Sequence, residues 1–145
     1  MTQRYFLSSK YPLPTGTFGR KEKQVTKNIN FFGSDLDFTA IIVKKIKKAE
    51  RPVHLKNPYC VTITPEGGQF KNGSDTDIKC LKLLFDYITE AIKHSFYMEL
   101  YTTWYGEEND PVLKYTELKL KDLISPLQLN IEDREYLIIT KKDWN

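Results

Sequence analysis

SDTDIKCLKLLFDYITEAIKH, residues 74–94, followed almost at once by FYMELYTTWY, residues 96–105, is the stretch from which the fold class is read. In its first part Ile78, Leu81, Phe85, Ile88 and Ile92 recur at helical spacing, flanked by Leu84 and Ala91, and form one apolar stripe. Ser74 or Thr76 stands where a helix cap is wanted, so a helix is predicted over 76–94. In the second part the period drops to two. Phe96, Met98, Leu100, Thr102 and Trp104 point one way, and Tyr97, Glu99, Tyr101, Thr103 and Tyr105 the other. A helix feeding a half-apolar strand, without regular strand–helix repetition elsewhere, predicts the α+β class.

Upstream, residues 53–64 read as a strand, most convincingly over Tyr59–Thr64, and the glycines at 67, 68 and 73 belong to turns. Downstream, Gly106–Pro111 is an acidic turn, residues 112–120 form a hairpin partner for the preceding strand, and residues 135–141 form a last strand. Near the start, residues 3–8 suit an edge strand. Pro12, Pro14 and Gly16 break regular structure, which leaves 11–27 as a mobile basic loop before a short strand at 28–32. Over 35–49, a Ser34/Asp37 cap, apolar positions at helical spacing and trailing lysines predict a second helix. The β-branched Thr39 and Ile41–Val43 would also suit a strand. The expectation is one domain spanning 1–145, with a mixed, mainly antiparallel sheet on the long helix. Ile63, Ile78, Leu81, Phe85, Ile88, Leu100 and Ile139 are placed in the core.

Composition agrees with a globular chain: 145 residues, 40% apolar and 28% charged, lie in the size and balance of a single folded domain. No secretory signal is recognised, and the longest apolar run, Ala40–Val43, is too short for a membrane span. Cys60 and Cys80 belong to no Cys-x-x-Cys pair, so reduced thiols in a cytoplasmic protein are expected, with no zinc site. The net charge of +3 conceals an asymmetry. Residues 1–74 carry 13 Lys/Arg against 5 Asp/Glu, and residues 75–145 carry 9 against 14, which predicts two differently charged surfaces.

Familiar catalytic signatures are missing. The glycines fit neither a P-loop nor a dinucleotide fingerprint, and there is no nucleophile elbow or zinc-binding helix. His54 and His94 have no local pairing with the cysteines. The carboxylates at 75–77 and 107–110 lack calcium-loop spacing and suit solvated turns. No cofactor or metal is expected, nor an enzyme of a familiar class. A protein-binding role is expected instead, through Tyr97, Glu99, Tyr101, Tyr105, Glu107, Glu108 and Asp110, because aromatic side chains on a strand face beside an acidic turn suit a basic partner. The expected form is a small bacterial inhibitor of the immunity-protein type, directed at a basic, nuclease-like toxin. The alternative is nucleic-acid binding, or an unfamiliar enzymatic activity, through the basic first half. Its residues would be Arg20, Lys21, Lys23, Lys44, Lys45, Lys47 and Lys48.

Overall fold

A computed structural model describes residues 3–20, 23–25, 29–31 and 35–141. In chain order the elements are β1 (Gln3–Ser9), β2 (Gly16–Phe18), β3 (Lys23–Val25), β4 (Ile29–Phe31), α1 (Asp35–Phe38) and β5 (Ala40–Lys45). They continue with β6 (Tyr59–Glu66), α2 (Asp75–Ala91), β7 (Tyr97–Trp104), β8 (Lys114–Lys119) and β9 (Glu135–Thr140). Seven strands form one sheet in the order β2-β5-β6-β1-β7-β9-β8, while β3 and β4 pair only with each other. Every pairing in the large sheet is antiparallel except that of β8 with β9. The chain is thus a mixed α+β domain with a mainly antiparallel sheet.

The long helix forms as its sequence dictates. The Ser74 hydroxyl accepts from the Asp77 N–H, and the Asp77 carboxylate accepts from the Ser74 N–H, a reciprocal cap. A 3-10 turn, Ile92–His94, carries the chain on into β7. The buried face is rotated from the expected stripe. Leu81, Leu84 and Ile88 are fully buried, whereas Ile78 is 43% exposed and Phe85 is only partly buried against the core. The true face centres on Leu81–Leu84–Ile88. Ile63, Leu100 and Ile139 are buried from the sheet side, as expected.

Three sequence expectations are corrected. The helix predicted over 35–49 is a single turn, α1, followed by β5. The β-branched run at 41–43 decides this. Ile41 and Val43 bury on the helix side while the backbone of β5 pairs with β6. β1 is not an edge strand. It lies between β6 and β7, because Tyr5, Phe6 and Leu7 are apolar on both faces and suit only a covered interior position. Finally, β8 is not a hairpin partner of β7. β9 intervenes, and β8 runs parallel to it at the sheet edge, joined to it by a crossover whose 3-10 turn Pro126–Leu129 packs on α2. The Ser34 cap, and residues 21–22, 26–28 and 32 of the predicted loop and strand, lie outside the described residues.

The sheet has two cores. On one face α2 covers the main core. On the other, Leu55 lies over Phe6, Cys60 and Tyr101, with Ile46, Val112 and Tyr136 packed around them. The irregular segment 46–58 therefore acts as a third layer.

Candidate functional site

The tyrosine face of β7 is largely inside the molecule. Tyr101 is fully buried beneath the 46–58 segment, with His54 5.3 Å away ring to ring. Among the described residues its hydroxyl has no hydrogen-bond partner, and burial pushes its pKa up to about 12. Glu99 is 2% exposed. Its Oε1 accepts from the Ser8 hydroxyl at 2.7 Å, the Asn57 amide at 2.8 Å, and the backbone N–H groups of Lys56 at 3.0 Å and Asn57 at 3.3 Å. Oε2 accepts from the Tyr136 hydroxyl. Tyr97 is partly buried and donates to Asn57 Oδ1 at 3.0 Å. These residues fasten the covering segment to the sheet. The expected continuous tyrosine surface is thus corrected. A strand pattern cannot reveal that a non-periodic segment will fold over the strand.

What stays accessible of the predicted surface is the turn. Tyr105 is 69% exposed, with the Arg4 guanidinium over its ring. Glu107 is partly buried and Asp110 exposed. The Glu108 carboxylate accepts from the Gly106 N–H at 2.6 Å and lies 3.7 Å from Arg4. The His54 ring bonds the Asp110 carbonyl at 2.7 Å.

The basic set of the alternative reading does not form one surface. Arg20 pairs with Glu66 and sits over the Phe38 ring, at the end of the sheet where β6 finishes. Lys44, Lys45, Lys47 and Lys48 are exposed toward the opposite end, where β5 finishes. Lys21 lies outside the described residues, and Lys23 is placed only as part of β3.

Neither cysteine suits a nucleophile. Both are buried, and burial holds their thiols protonated, Cys60 at a pKa of about 12 and Cys80 at about 11. Among the described residues, no group of three or more His, Cys, Asp or Glu side chains is gathered to hold a metal ion.

An open apolar groove lies elsewhere, between the 11–18 segment and α2. It is a groove of about 450 Å³ with Pro12, Pro14, Phe18, Leu83, Tyr87 and Ala91 as its floor and walls. Asp86, Glu90 and His94 stand at its rim, all exposed. The prolines take the chain off the sheet, since they have no N–H to give to a ladder. The Tyr87 hydroxyl then donates to the Pro14 carbonyl at 2.6 Å and fastens this segment to the helix. Phe18 meets Tyr87 edge to face, with centroids 5.5 Å apart. Gly19, at φ +93°, lets the backbone pass so close to Leu83 that a Cβ there would stand 2.4 Å from a Leu83 methyl. At the rim, a hydrogen bond from Lys93 and its charge hold Glu90 below the usual carboxylate range.

In the sequence, the prolines read only as breakers, and Leu83 falls outside the single stripe. The available signal is the width of the apolar helix surface. Leu83, Tyr87 and Ala91 form a second row at i, i+4 and i+8 beside the buried one. Compared with protein-family models, with curated proteins and with solved structures, the chain matches none.

Proposed function

We propose that this domain is a protein-binding module that receives an apolar side chain of a basic partner in the groove between the proline segment and α2. The observation that carries the reading is the pairing of an open apolar floor with exposed carboxylates at its rim, Asp86 and Glu90, the latter bridged to Lys93 at 2.7 Å. Pockets of this kind accept a hydrophobic anchor, while rim charges steer the encounter. The acidic turn bearing Glu107, Glu108 and Asp110 adds a second patch of the same sign, partly offset by Arg4. In its narrower form the reading is a small bacterial inhibitor of the immunity-protein type, acting on a nuclease-like toxin. Such a toxin is basic because it must approach a polyanion.

The experiment is affinity capture from the native host's extract with the wild-type chain and with Ala91→Trp, which fills the groove from a half-buried helix position on its wall. The expected result is a protein recovered at stoichiometric level by the wild type and lost with Ala91→Trp at unchanged thermal stability. Asp86→Lys with Glu90→Lys should slow association with that partner, most clearly at low salt. Equal capture by wild type and Ala91→Trp would overturn the reading.

A further inference from the structure

The large sheet ends in two edge strands, β2 and β8, and they differ. β8 carries Lys114, Glu117 and Lys119, all exposed, and charges on an edge keep foreign strands away. β2 carries no charge, only Gly16, Thr17 and Phe18. The pairing pattern shows which of its peptide groups face outward. The Ile46 N–H donates to the Cys60 carbonyl at 3.5 Å, one step beyond the Lys45–Val61 pair. Hydrogen-bonded pairs alternate along an antiparallel ladder, so Ile42 and Lys44 turn their peptide groups to β6, and Ile41 and Val43 turn theirs to β2. Opposite them, Phe18 and Gly16 bond back to β5. The N–H and C=O of Thr17 therefore point off the edge of the sheet. Thr17 is exposed, and among the described residues no hydrogen bond reaches these two groups.

Side chains sort with the same alternation. Ile41 and Val43 are buried on the α2 side, so Phe18 and Gly16 opposite them face that way, and Thr17 faces the other. Phe18 is a wall of the groove. Gly16 leaves a notch next to it, since a Cβ there would meet no atom within 4 Å. A strand laid along β2 would turn the residue opposite Thr17 away from α2, and both neighbours of that residue onto the groove. The charges at the rim are mixed. Glu90 is bridged to Lys93, and Lys82 is exposed one turn before Asp86. Asp86 itself has no ion pair among the described residues.

We propose that the groove takes an extended segment of its partner, added as a further strand to the edge of β2. An apolar side chain of that segment fills the notch at Gly16. Two residues from it, a lysine or arginine lies along the groove floor with its charge at Asp86. Long basic side chains cover apolar surface with their stems while the head group reaches a carboxylate. Strand addition takes affinity from main-chain bonds and specificity from pockets for alternate side chains. With three residues β2 offers few main-chain bonds, so the groove supplies most of the selectivity. This rests on the groove reading above and adds the conformation of what enters it. A helical ligand would instead present residues three or four apart.

The test is selection of phage-displayed random peptides of about eight residues, longer than a usual strand, on the full chain. The strongest peptide is then synthesised and titrated by fluorescence anisotropy. Selected sequences should share an apolar residue two places from a lysine or arginine, and Ala91→Trp should abolish binding. Methylating the one peptide amide that faces the Thr17 carbonyl should weaken binding about 5-fold, the effect of one hydrogen bond. The amides on either side point away from β2 and should tolerate the methyl group. Thr17→Pro removes the outward N–H without breaking the ladder to β5, and should weaken binding similarly. A thermal melt checks that this variant stays folded, and the methylation scan needs no change in the protein. Three results would each overturn strand addition: no selected peptide; a peptide indifferent to every methylation and to Thr17→Pro; or full affinity for Ala91→Trp. A host partner whose capture is lost with Ala91→Trp, found together with any of these three, would keep the groove reading and remove the strand.

Discussion

Glu99 illustrates how far a single residue can depart from its pattern. By alternation it belongs with the outward set on β7, and a carboxylate there reads as solvent-facing. In the fold it is buried, and among the described residues no salt bridge supports it. Instead, donors from Ser8, Lys56, Asn57 and Tyr136 replace its hydration shell. Removing such an acceptor leaves several buried donors unsatisfied, each worth about 1–3 kcal/mol. Glu99→Ala should therefore lower unfolding free energy in urea by about 3 kcal/mol or more, and Glu99→Gln, which keeps one carbonyl acceptor, by less. An equal loss in both would show that the segment does not depend on the acceptor. Cys60 makes a second test. Its thiol rises from an ordinary 9.0 to about 12, first through burial and then through the charge of Glu99, with Arg51 opposing. A thiol that holds its proton more tightly when folded adds stability that is complete below pH 9 and is lost as pH climbs toward 12. Cys60→Ala should flatten that alkaline decline in chemical denaturation curves.

Among the elements, α2 and β7 were legible because each carries one strong period over several turns or pleats. The class followed from those two alone. The misreadings arose where two signals competed. Residues 40–45 carry apolar side chains that fit either period, and the lysines after them mimic the end of a helix. Only pairing with β6 settles the choice, and that partner is remote in sequence. The groove was illegible for a related reason, since its two walls lie some seventy residues apart. Within α2, the rotation of the buried face predicts the energetics. Leu84→Ala should cost about 2–5 kcal/mol, the range for emptying a buried leucine site. Phe85→Ala should cost clearly less, because part of its ring already meets water. Denaturant midpoints of the two variants decide the order, and the reverse order would restore the stripe centred on Phe85. At the helix start, burial works against the Asp77 carboxylate, but the Gln69 and Ser74 N–H groups outweigh it and hold its pKa below the usual range. Its contribution is present above the ordinary carboxylate pKa and is lost as pH falls through the lowered one. Asp77→Asn should make acid unfolding shallower.

At the scale of the molecule, folding mixes the uneven charge of the two halves of the sequence: Glu66, Glu108, Glu132 and Asp133 each lie against a cation, Arg20, Arg4, Lys114 and Arg134. No helix of the described residues is long and apolar enough to cross a membrane. The position of β1 has a consequence in time. Gln3 pairs with Trp104 and Ser9 with Tyr59, so both halves of the sheet depend on a strand synthesised well before its partners. At ordinary rates of synthesis its partner β7 follows only after about 5–20 s. Until β6 emerges, about halfway through that interval, Tyr5, Phe6 and Leu7 have no strand to pair with. Contacts of such long sequence separation also slow folding itself, and refolding from urea should take milliseconds to seconds, well behind a helical bundle of equal size. Stopped-flow tryptophan fluorescence would measure it. A nascent chain carrying this strand is therefore exposed to whatever binds bare aromatic segments, and its yield in the cell should depend more on holding chaperones than its final stability would suggest.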